Sequence, residues 1–217
     1  MKKLFISFVL LFSLFVFSQE YQFDKKCVSN STRISPKIGN KNSWKSYIYF
    51  NSSNNNYYMT QRNDDSYYYI TDNSLKEVIA LQRINSEKPY YSYLDKKTFD
   101  YTYSEKEIGK IIIKELAEDE FLVQCFVNDD SKKTNLEVKF KLYKSKTPMI
   151  EIRFMDLGQI IHKKIYDSLK ERLNGNNFWI LYAEVDYKNG YKFLYEFDNC
   201  EEIALNLKFD PNFSEKK

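Results

Sequence analysis

In Leu136-Glu137-Val138-Lys139-Phe140-Lys141-Leu142-Tyr143, apolar side chains at 136, 138, 140 and 142 alternate with two lysines, a glutamate and a tyrosine. A period of two puts the first set on one face of a strand and the second on the other. One face is therefore dry and the other wet, the pattern of antiparallel sheets. The same order recurs downstream, where Ile150, Ile152 and Phe154 oppose Glu151 and Arg153. Upstream, 110–116 and 121–127 are apolar runs of strand length. The connections between these runs are short and carry Glu118-Asp119, Asn128-Asp129-Asp130 and Lys146-Thr147-Pro148. The four runs at 110–116, 121–127, 135–143 and 149–155 read as a meander.

Further upstream, Trp44-Lys45-Ser46-Tyr47-Ile48-Tyr49-Phe50 runs into an Asn/Ser tract at 51–56, which reads as a turn. Tyr57-Tyr58-Met59-Thr60 and Tyr67-Tyr68-Tyr69-Ile70-Thr71 flank a second turn cluster, Asn63-Asp64-Asp65-Ser66. Consecutive hairpin strands follow from that order. Val78-Ile79-Ala80-Leu81 is another strand, and 90–103 holds one or two more.

Downstream the period changes once. Leu157, Ile160, Ile161, Ile165, Leu169 and Leu173 recur at spacings of three and four, which predicts an amphipathic helix over 157–173. Asp156 with Gln159 makes a capping-box-like start, and Asn174-Gly175 a stop. A short helical turn is also expected near 104–110. Two strands, 180–187 and 191–197, then flank Lys188-Asn189-Gly190, a hairpin signal, and a last strand spans 203–209. The fold class is mainly β (α+β): a curved antiparallel meander sheet or open half-barrel, with one amphipathic helix packed on it.

The first residues carry an address. Met1, Lys2 and Lys3 precede an uncharged run from Leu4 to Phe17, followed by Ser18, Gln19 and Glu20. A basic start, an apolar core of ~7–15 residues and a small residue at the cut is the secretory pattern. The run is shorter than the roughly 20 apolar residues of a spanning helix. Residues 1–18 are expected to be a signal peptide cleaved before Gln19, and 19–217 a single β-rich domain with no transmembrane segment. The product is expected outside the cytoplasm, in the periplasm or beyond it.

Removing the first 18 of 217 residues takes away Lys2 and Lys3, so 33 basic residues become 31 against 30 acidic ones. A balance near neutrality excludes nucleic acid as the main partner, because neutralising phosphates needs a clear basic surplus. Aromatic residues make up 18% of the chain, with 19 tyrosines, a side chain suited to half-buried strand positions. Among three cysteines, Cys125 sits in an apolar strand and is expected to be a buried thiol. Cys27 and Cys200 are the preferred disulfide pair, consistent with an oxidising compartment.

Catalytic chemistry finds little support. The single histidine, His162, lies beside Lys163 and Lys164 and reads as a surface residue of the helix. One histidine cannot build a His/Cys metal cluster, and no Asp-x-Asp-x-Asp-Gly calcium loop is present. The acidic pairs Asp64-Asp65, Asp129-Asp130 and Glu201-Glu202 fall in predicted turns or strand ends. No cofactor and no metal are expected. The tyrosine clusters stand out instead. Because alternate residues face opposite sides of a sheet, some tyrosines must line a concave face, and Tyr58, Tyr68, Tyr91 and Tyr93 are the candidate ligand contacts. The bland counterpart is cross-strand aromatic pairing within the sheet.

The order of many strands and one late helix behind a leader is loosely similar to half-barrel lipoprotein carriers of the bacterial envelope. That likeness is one of architecture and rests on no shared motif. The expected function is a non-enzymatic binding module of the cell envelope holding an apolar or lipid-like ligand. The alternatives are a structural or protein-interaction component of the envelope and a carboxylate-dependent hydrolase.

Overall fold

The computed structural model describes residues 19–39, 42–62, 66–87, 90–99, 108–146, 151–152, 154–155, 157–175 and 177–209. The leader, the Asp64-Asp65 pair, Asp156, residues 104–107 and the segment after Pro211 lie outside the described residues.

Among the described residues, eleven strands form one antiparallel sheet. They are β1 (Gln19–Ser35), β2 (Ser43–Asn51), β3 (Asn54–Arg62), β4 (Tyr67–Asp72), β5 (Glu77–Ile84), β6 (Tyr90–Thr98), β7 (Lys110–Ala117), β8 (Glu120–Phe126), β9 (Leu136–Lys144), β10 (Phe178–Asp186) and β11 (Lys192–Phe209). One described helix, α1 (Gln159–Arg172), intervenes between β9 and β10. No helix among the described residues is long and apolar enough to cross a membrane.

The spatial order is β6-β5-β4-β3-β2-β1-β11-β10-β9-β8-β7. Two meanders, β1–β6 and β7–β11, thus run outward from a shared centre, the long β1–β11 ribbon. The ribbon carries the disulfide between Cys27 and Cys200, across a sequence separation of 173. Cys125 remains a thiol, buried in the core.

The sheet cannot be flat. Ten spacings of about 4.8 Å would set its outer strands roughly 48 Å apart. The chain from Thr98 to Lys110 can reach at most ~43 Å, and it must also climb the length of a strand. Ring contacts show how the sheet curls. Phe50 of β2 stacks on Trp179 of β10 with centroids 5.3 Å apart, although β1 and β11 lie between their strands. On the other face, the Tyr21 hydroxyl of β1 donates to Asp72 of β4 at 3.0 Å, although β2 and β3 intervene.

Each face therefore has its own core. The first joins β7–β11 and α1 and contains Phe121, Val123, Val138, Phe140, Ile165 and Phe197. The second joins β1–β6 and the far end of β11, around Tyr21, Phe23, Met59, Tyr68, Ile70 and Leu81. The two overlap at β2 and β3. Ile48 and Phe50 point into the first and Tyr49 into the second; Tyr58 points into the first, Tyr57 and Met59 into the second. In β1, Tyr21 and Phe23 serve the second core and Cys27 the first, with a register irregularity between Phe23 and Lys25.

Several expectations need correction. The segment 149–155 forms no strand at its described residues. β9 pairs directly with β10, so no ladder position is open to it. It lies instead over the first core with Ile152 and Met155 buried. Its backbone finds side-chain partners: the Tyr166 hydroxyl donates to the Ile152 carbonyl at 3.0 Å, and His162 Nε2 meets the Met155 carbonyl at 3.0 Å.

His162 is accordingly buried, at 2% exposure, not on the surface. The buried stripe of α1 runs through Ile161, His162, Ile165, Tyr166 and Leu169, whereas Ile160 is half-buried. The helix begins at Gln159 with Gly158 as N-cap and no side-chain cap, not at 157 with a capping box. At its end the left-handed residue is Asn174 (φ 51), not the glycine. Asn174 N–H donates to Glu171 and Gly175 N–H to Lys170, a complete Schellman motif. Lastly, the strands expected at 191–197 and 203–209 are one strand, β11, which starts at Lys192 and leaves Tyr191 in the turn. Its extra length is absorbed by register shifts against β1 at Phe23/Lys25 and Lys26/Val28.

Candidate functional site

A groove of about 800 Å³ opens on the first-core face, where β1–β4 and β11 meet the segment before α1. Strand register places its walls. Directly opposed residues of an antiparallel pair share a face. Ser29 opposes Ser46, and Ser46 opposes Arg62. Ser31 opposes Trp44 on one side and Tyr195 on the other. Arg33 opposes Phe193, and Thr60 opposes Ile48 and Tyr69. The floor is thus a row of hydroxyls flanked by two guanidinium groups. Ser29 and Ser31 are both 4% exposed.

The opposite wall is apolar. Ile152, Phe154 and Met155 line it, and Phe193 and Tyr195, on the strand face beside Arg33 and Ser31, adjoin it. Phe154 is held edge-on to Tyr195, Phe197 and His162, with centroids 5.1, 5.2 and 5.9 Å away. Buried His162 therefore has a structural use: it fixes both Phe154 and the Met155 carbonyl. At the rim, Trp44 is 41% and Tyr69 42% exposed. Trp44 meets Phe193 edge-on at 5.9 Å, and the Arg33 guanidinium lies 5.5 Å from the Phe193 ring centre. A pocket of this size with convergent polar groups and exposed aromatics suits a small ligand. Its described lining includes no carboxylate.

The four tyrosines named from sequence do not share one surface. Tyr58 is buried in the first core, whereas Tyr68 is buried in the second, with Tyr91 and Tyr93 packed against that second cluster. Tyr68 and Tyr91 meet edge-on at 5.0 Å. The hydroxyls on that face are engaged internally: Tyr57 donates to the Gln22 carbonyl at 3.0 Å and Tyr49 to Gln61 at 3.0 Å. Burial raises the phenol pKa of Tyr21, Tyr49 and Tyr91, the last to about 12.

Of the acidic pairs, Asp129 and Asp130 are exposed in a turn, and Glu201 and Glu202 bind Lys26 and Lys25 across the ribbon at 2.8 and 2.9 Å. The described residues contain no group of His, Cys, Asp and Glu able to hold a metal. The groove residues went unread in the sequence. Their trace is Ser29-x-Ser31-x-Arg33 beside Trp44-x-Ser46, a period-two run of small hydroxyls where a core strand would carry branched apolar residues. No protein-family model matches the chain, and no curated protein matches it.

Proposed function

We propose that the protein is an exported, non-enzymatic binding module of the cell envelope, with a small amphipathic ligand seated in the groove between β1–β4 and the 152–155 segment. The carrying observation is the division of that groove into a hydroxyl and guanidinium floor and an aromatic and aliphatic wall. A ligand that is apolar along one side and polar along the other satisfies both. The tyrosine-rich face is a weaker seat, because its rings already pack on one another.

The space between α1 and the sheet is filled by Ile161, Ile165, Tyr166 and Leu169. That favours an open surface groove over a chain threaded beneath the helix. Export is supported by the leader-like residues 1–18 and by the cross-ribbon disulfide. The test is direct. Protein recovered from the envelope fraction of the expressing cell should begin at Gln19, and mass spectrometry of its organic extract should show a stoichiometric amphipathic compound. A product still beginning at Met1, or an empty extract from protein that also binds no amphiphile added later, would refute the reading.

One observation favours a second reading, a protein-interaction component. Edge strand β7 presents half-buried Ile111, Ile112 and Ile113 and an exposed Leu116, a row to which another strand could add. A stoichiometric protein partner recovered without any small molecule would favour it.

A further inference from the structure

We infer that the Arg33 end of the groove is an anion seat, and that the ligand is an amphiphile with a carboxylate or phosphate head and an apolar tail. This rests on the groove being the binding site. Arg33 Nε is buried without a hydrogen-bond partner among the described residues. A guanidinium cannot lose its proton to escape that cost, so an orphaned, buried N–H on a permanent cation asks for an acceptor with negative charge. Its guanidinium lies over the face of Phe193, 5.5 Å from the ring centre. A ring face attracts a cation but accepts no proper hydrogen bond.

Three other features point the same way. Arg62 adds a second positive charge to the same lining, whose described residues include no carboxylate. Ser31 and Ser29 continue the floor from Arg33 toward Arg62, so hydroxyl donors extend the seat. The apolar wall of Phe154 and Met155, with Tyr195 adjoining, runs alongside, giving a tail a dry surface next to a charged head. A neutral amphiphile would fill the wall and leave Arg33 Nε unsatisfied. A small inorganic anion would satisfy Arg33 and leave the wall wet. Only a molecule with both parts uses the whole groove.

The test is titration of the full mature chain with three decyl probes that differ in the head: decanoate, decyl phosphate and neutral decyl glucoside, each below its micellar concentration. Calorimetry and the fluorescence of Trp44 at the rim are the readouts, with Trp44→Phe assigning the optical signal. The expected result is that one or both anionic probes bind about ten- to hundredfold tighter than the glucoside. Arg33→Gln should erase that advantage, and Arg33→Lys should restore part of it. Preference for decanoate or for decyl phosphate identifies the head. Anionic binding to the unaltered protein should also weaken as salt is raised, a measurement independent of any variant's folding. Equal binding of all three probes, insensitive to salt and to Arg33→Gln, overturns the anion seat and leaves the groove reading standing. No binding by any probe overturns both.

Discussion

The two cores solve the same problem with different residues. On the first-core face, an amphipathic helix covers the sheet, and the interior is largely aliphatic and phenylalanine: Val123, Leu136, Val138, Phe140, Leu142 and Leu169. On the second-core face no described helix covers the sheet. There tyrosine supplies four of the ten described buried residues, against four of twenty-six in the first, and the far ends of β1 and β11 contribute to it. A tyrosine buries a ring and gives its hydroxyl a polar partner, as Tyr21 does with buried Asp72 and Tyr57 with the Gln22 carbonyl. A core with no described helix over it can thus end in hydrogen bonds where the other ends in a helix.

That contrast can be broken by mutation. Phe140→Ala, at 1% exposure in the covered core, is expected to cost ~3–5 kcal/mol in denaturant unfolding, from lost transfer energy and the cavity left behind. Met59→Ala in the second core should cost ~2–5 kcal/mol and fall nearer the low end if that core collapses more easily around the cavity. Equal losses would show that the second core is packed as tightly as the other.

Opening the seam between the halves ranks next. Cys27→Ser with Cys200→Ser should lower stability by about 2–4 kcal/mol through the released loop, and reducing agent should reproduce the loss in the unaltered protein. A variant as stable as the parent would mean that strand pairing alone holds the ribbon. Hydroxyl deletion should have a smaller effect. Tyr21→Phe removes one of the bonds to Asp72 while Ser74 and Leu75 still donate to it, so a loss of about 1 kcal/mol is expected.

Alkaline titration sharpens the comparison further. A tyrosine whose folded pKa is raised binds its proton more tightly in the folded state. Its contribution is complete below the ordinary value of 10.0, and for Tyr91 it is lost as pH rises through about 12. Stability should therefore decline above pH 10, with Tyr91→Phe and Tyr49→Phe flattening the slope. The acid side should show the smallest effect. Burial works to raise the Asp186 pKa, but hydrogen bonds from Lys192 and Lys188 outweigh it and bring it down to about 2. Its contribution is present above the ordinary 3.8 and fades as pH falls through about 2, a window Asp186→Asn should remove. A full-strength alkaline decline in Tyr91→Phe would place its origin outside the second core.

What could be read from the sequence followed from how many faces of a strand are buried. β9 is wet on one side, so Leu136 to Leu142 alternate visibly and the antiparallel class follows. β2 and β3 lie between two cores, and consecutive residues such as Tyr57, Tyr58 and Met59 are all buried. Alternation disappears there, and with it any sign that the sheet has two interiors. The helix was legible through its aliphatic residues, but its true face was not, because His162 and Tyr166 carry polar atoms yet are buried whole, with His162 Nε2 and the Tyr166 hydroxyl meeting backbone carbonyls. The segment at 151–155 mimics a strand because Ile152 and Phe154 point one way. Only the direct pairing of β9 with β10 reveals that no ladder remains for it. The groove was the least legible part, since it is assembled from five strands and a loop, each supplying one to three ordinary side chains.

The β1–β11 ribbon also sets an order of assembly. Every other strand pair except β9–β10 joins neighbours in sequence across a short connection and can form as soon as its own hairpin is made. The ribbon alone spans nearly the full length of the folded chain, so its loop-closure entropy is the largest in the molecule. Two half-sheets forming early and zipping together late is the kinetic consequence. Until that zipper closes, the groove over Ser31 and Tyr195, which sit opposite each other across it, does not exist.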